Sequence, residues 1–64
     1  MTDAELRTQL EPIVLDQTLT KEERSAKLVL IAIAFMDETD IEGTFNRWNN
    51  IMAAIIIDNK LGHH

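Results

Sequence analysis

The sequence predicts an all-α protein, a small three-helix unit expected to pair into a homodimeric helical bundle. Three observations predict it. A threonine followed three residues later by a glutamate recurs at Thr2/Glu5, Thr20/Glu23 and Thr39/Glu42, each time ahead of an apolar-periodic stretch. Such a pair is a capping box, in which the threonine oxygen accepts the backbone N–H of the third helical residue and the glutamate accepts that of the cap itself. Strand signals are lacking, because the β-branched residues fall inside helix-length runs without period-two alternation. Finally, Leu28–Met36 and Ile51–Ile57 are apolar on every side, more than one small chain can cover.

The first helix is expected over residues 3–18, with Leu6, Leu10, Ile13, Val14 and Gln17 on one face. Pro12 lacks an N–H for the carbonyl four residues back and disfavours helical geometry at Glu11, so a kink or break is expected there. The alternative is two short pieces, with Pro12 in the first turn of the second.

The second helix, residues 21–37, opens with the charged turn Lys21-Glu22-Glu23-Arg24-Ser25 and then carries nine consecutive apolar residues, Leu28 to Met36. Two seams can be drawn on it, Leu28/Ile31/Phe35 and Val29/Ile33/Met36, one for the inside and one for a partner. The third helix, residues 40–60, shows Ile41, Phe45, Trp48, Met52 and Ile55 at alternating spacings of four and three, which reads as a core seam. Gly62 is suited to end it in the left-handed conformation. Short connections at Leu19-Thr20 and Glu38-Thr39 predict antiparallel hairpins, with exchange of helices between chains as a variant.

Length makes this one helical domain, residues 1–64, and a chain of that size buries only about 60% of the surface its unfolded state exposes. Disulfides, a structural metal or association are the usual supports for so small a fold. The chain has no cysteine, which removes disulfides, thiolate metal sites and a cysteine nucleophile. Its two histidines, His63 and His64, follow Gly62 in a segment, residues 62–64, that reads as a flexible tail or tag remnant rather than a metal site. Association is the support that remains. Val29, Ile33, Met36 and Ile56 are the candidates for self-association.

Function is read mainly by elimination. The acidic pairs Glu22/Glu23, Asp37/Glu38 and Asp40/Glu42 sit where capping and the helix dipole explain them, and no serine has a histidine to meet. Gly43 and Gly62 are the only glycines, so no phosphate loop exists, and Asp37–Asp40 is too short for a calcium loop. No catalytic residue, metal or cofactor is therefore assigned. Eleven acidic residues against six basic ones give a net charge of −5, opposite to what phosphate binding needs, and Lys21, Arg24 and Lys27 share their stripe with Glu22 and Glu23. Nucleic acid is not an expected partner. The longest apolar run is about half of the ~20 residues that span a bilayer, and Met1-Thr2-Asp3-Ala4-Glu5 carries acids where a presequence would be basic, so the cytoplasm is expected.

On the third helix, Asn46, Arg47, Asn49 and Asn50 cluster amides around one guanidinium and are candidates for facing a second protein. The function that follows is a small acidic homo-oligomeric factor, a regulator or inhibitor docking on another protein without catalysis. The alternative is a structural or assembly module whose apolar helices serve only self-association or insertion in a larger complex.

Overall fold

The computed structural model describes residues 1–62; of the expected tail, residues 62–64, Gly62 caps the last helix and His63 and His64 lie outside the described residues. Three helices follow one another: α1 (Asp3–Leu15), α2 (Lys21–Phe35) and α3 (Ile41–Leu61). No strand occurs among the described residues.

Two of the expected capping boxes are formed. Glu5 N–H donates to Thr2 Oγ1 at 3.2 Å and Thr2 N–H to Glu5 Oε1 at 3.1 Å; Glu23 N–H donates to Thr20 Oγ1 at 3.1 Å and Thr20 N–H to Glu23 Oε1 at 3.0 Å. The third box is not formed, and Asp40 caps α3 by accepting from Gly43 N–H at 2.9 Å. Thr39 is taken by Asp37, whose Oδ1 accepts its hydroxyl at 2.6 Å and its N–H at 3.0 Å. Gly43 leaves room for the Asp40 carboxylate, since a Cβ there would lie 2.1 Å from Oδ2.

The same turn closes α1. Asp16 Oδ1 accepts the Thr18 hydroxyl at 2.6 Å and its N–H at 2.9 Å, so each connection is an Asp-x-Thr turn leading into the next cap. These turns correct the expected boundaries: α1 stops at Leu15 rather than near 18, and α2 at Phe35 rather than 37, because the turn aspartates compete with helical pairing. Pro12 lies inside α1, which runs as one helix and not as two pieces. Gly62 ends α3 with φ 72°, as its lack of a side chain allows.

Leu6, Leu10, Phe35 and Ile55 form the buried core, with Val14, Leu15, Leu28, Ile31, Trp48, Ile51 and Met52 packed around it. α1 packs against both other helices, whereas α2 and α3 approach each other closely at few positions. The molecule measures 35 × 25 × 16 Å. Its core lies where α1 meets α2 and α3, and with only three helices the sides of α2 and α3 turned away from α1 are left uncovered.

Three arginines fasten α1 to the other two helices. Arg47 on α3 donates from Nε to Asp3 Oδ1 at 2.8 Å, near the start of α1. Arg7 bridges Glu11, at 3.2 Å, and Asp58 of α3, and these bonds raise its already high pKa, with the Asp58 bond the larger cause. Arg24 on α2 donates to the carbonyls of Ile13, at 3.2 Å, and Asp16, satisfying groups that the end of α1 leaves open.

Candidate association surface

The seams of α2 divide as their spacing allows. Leu28, Ile31 and Phe35 turn inward, whereas Val29, Ile33 and Met36 are exposed, Ile33 to 68%. Ile56 is exposed too. All four candidates for self-association are thus on the surface, three of them along one flank of α2.

α3 differs from the expected seam. Its inward line is Thr44, Trp48, Ile51, Ile55 and Asp58, with Met52 packed at its edge, so Trp48, Met52 and Ile55 stay with the core while Ile41 and Phe45 are about 60% exposed. Polar anchoring sets this rotation. Thr44, only 4% exposed, donates its hydroxyl to Asp40 O at 2.9 Å and accepts Asp37 N–H at 3.2 Å, and Arg7 draws Asp58 towards α1. Apolar periodicity does not register a buried threonine or an aspartate on an inner face, so it placed Ile41 and Phe45 there instead.

Phe45 thereby comes beside the exposed flank of α2. Between the two helices lies a cleft of about 160 Å³, lined by Ala32, Met36, Thr44, Phe45, Trp48 and Asn49. It continues across Val29 and Ile33 to Glu38 on one side and towards Ser25 and Leu28 on the other. Val29, Ile33, Met36 and Phe45 form a run of exposed apolar side chains along this cleft, the kind of surface that marks an association site, and Ile41 and Ile56 are exposed on α3 as well. The cleft is smaller than the roughly 300–1,000 Å³ of small-molecule sites, and its size suits one inserted side chain.

Charge surrounds one end of this surface. Asp37, Glu38, Asp40 and Glu42 follow one another at the α2–α3 connection with no basic residue between Lys27 and Arg47. The hydroxyl and N–H of Thr39 hold the Asp37 carboxyl below its ordinary value, with a smaller contribution from Arg47. Among the described residues no three His, Cys, Asp or Glu side chains are grouped to hold a metal ion.

Of the amide cluster, Asn46, Asn49 and Asn50 are exposed, with Asn49 at the cleft. Arg47 is drawn away from them. Its guanidinium carbon lies 4.7 Å from the centre of the Phe35 ring, and its other contact is Asp3, so it joins the helices to one another. Phe35 in turn meets Trp48, ring centres 6.5 Å apart. No helix among the described residues is long and apolar enough to cross a membrane. Comparison of the chain with family models, curated proteins and solved structures gave no match.

Proposed function

We propose that this chain is a small acidic protein-binding factor of the cytoplasm, homodimeric through the apolar face of α2 and α3, acting by docking on another protein as a regulator or inhibitor and not by catalysis. The observation that carries this reading is the unbroken apolar surface from Val29, Ile33 and Met36 across the cleft to Phe45, with Ile56 further along α3. An exposed apolar face that no other helix of the chain covers is stabilised by a second protein surface. The net charge of −5 favours a basic docking site on the regulated protein.

A second reading is an assembly module whose apolar face is consumed by association alone. The engagement of Arg47 with Asp3 and Phe35 favours it, because only neutral amides are then left for a separate polar face.

Light scattering across a concentration series tests the common core of both. A dimer that Ile33→Asp converts to a helical monomer is the expected result, since a buried unpaired charge costs several kcal/mol. A wild-type monomer with a cooperative, concentration-independent melt would overturn it.

A further inference from the structure

The flank of α3 that borders the cleft has a polarity that selects its occupant. Glu42, Phe45, Asn49, Met52, Ile56 and Lys60 follow at spacings of three, four, three, four and four, so they share one stripe. Glu42 and Lys60 lie about five turns, or ~27 Å, apart at its two ends. Phe45, Asn49 and Ile56 are exposed on it, and Met52, half-buried against the core, lies at its middle.

Such a stripe is complementary to itself when reversed. An antiparallel copy sets Phe45 against Ile56, Asn49 against Met52 and Glu42 against Lys60, and each contact occurs twice about a two-fold axis. A parallel copy would instead place the acids of the α2–α3 connection against one another and Lys60 against Lys60. The antiparallel arrangement also opposes the two helix dipoles.

We propose that the occupant of the α2–α3 cleft is the C-terminal half of α3 from a second copy, with Ile56 of that copy seated between Met36, Phe45 and Trp48 and its Lys60 beside Glu42. The inference rests on the dimeric reading above and adds the direction and register of the pairing. Fit and charge both support a second copy. The cleft admits one side chain of the size of isoleucine, and Phe45 and Ile56 are exposed on the one stripe that an antiparallel copy presents back to it. Lys60, in the last turn of α3, supplies the cation that the acidic end of the surface calls for.

Charge exchange tests it. Wild type, Glu42→Lys, Lys60→Glu and an equimolar mixture of the two variants are measured by sedimentation equilibrium and native mass spectrometry, with circular dichroism to show that each is folded. Either variant alone pairs like charges twice and is expected to dimerise about tenfold more weakly. In the mixture both contacts become opposite again, so the heterodimer is expected to form with wild-type affinity and dominate. Wild-type dimers whose single variants associate normally, or whose mixture shows no preference for the heterodimer, would overturn the antiparallel register and leave dimerisation standing. A wild-type monomer would overturn both, including the case in which a foreign basic helix fills the cleft.

Discussion

The guanidinium of Arg47 lies over the ring of Phe35, 4.7 Å from its centre, and joins the exposed flank of α3 to the buried aromatic of α2. Because the same group donates to Asp3 Oδ1, one side chain touches all three helices. Arg47→Ala is expected to lower stability by about 1 kcal/mol, mostly through the ring contact, since the ion pair with Asp3 is largely solvated. Arg47→Lys should recover less than half, because an ammonium lacks the flat face that stacks. Urea unfolding at fixed protein concentration measures both.

Thr44 holds the α2–α3 connection to the start of α3 through two hydrogen bonds. Thr44→Val preserves shape and removes both, leaving the Asp37 N–H without its acceptor, so a loss of about 1–3 kcal/mol is expected. Thr44→Ser keeps the hydroxyl and should cost less. Equal losses in the two variants, read from urea midpoints, would show that the methyl group and not the hydroxyl matters.

Acid should weaken the fold. Hydrogen bonds from Thr2, Thr18, Thr20 and Thr39 lower the pKa values of Glu5, Asp16, Glu23 and Asp37 in the folded chain. The unfolded chain therefore binds more protons in this range. Stability from these groups is complete above the ordinary carboxyl values of about 4 and is lost as pH falls through the lowered ones. Thermal midpoints between pH 7 and 3 should fall mainly below pH 4, and Glu23→Gln with Asp37→Asn should flatten the decline.

Two isoleucines separate folding from association. Ile55 is fully buried and Ile33 is 68% exposed. Ile55→Ala should cost about 2–5 kcal/mol of stability. Ile33→Ser should leave the monomer nearly as stable while weakening the dimer, seen as a loss of concentration dependence in the melting temperature.

Local chemistry made much of this readable. The capping boxes at Thr2/Glu5 and Thr20/Glu23, the two seams of α2 and the left-handed Gly62 are interactions within a few residues, and spacing reports them directly. The third box failed in the same short range, because Asp37 competes for Thr39 and a glycine lets Asp40 reach the helix start.

The sequence by itself determined three helices, their starts to within about a residue, and an apolar surplus on the second and third. Tertiary structure decided where that surplus lies. The rotation of α3 goes with Thr44 held by the connection just before it and Asp58 held by Arg7 from the far end of the chain, polar contacts that apolar periodicity does not record. That rotation leaves Phe45 exposed beside Met36, and so joins the apolar runs of α2 and α3 across one cleft.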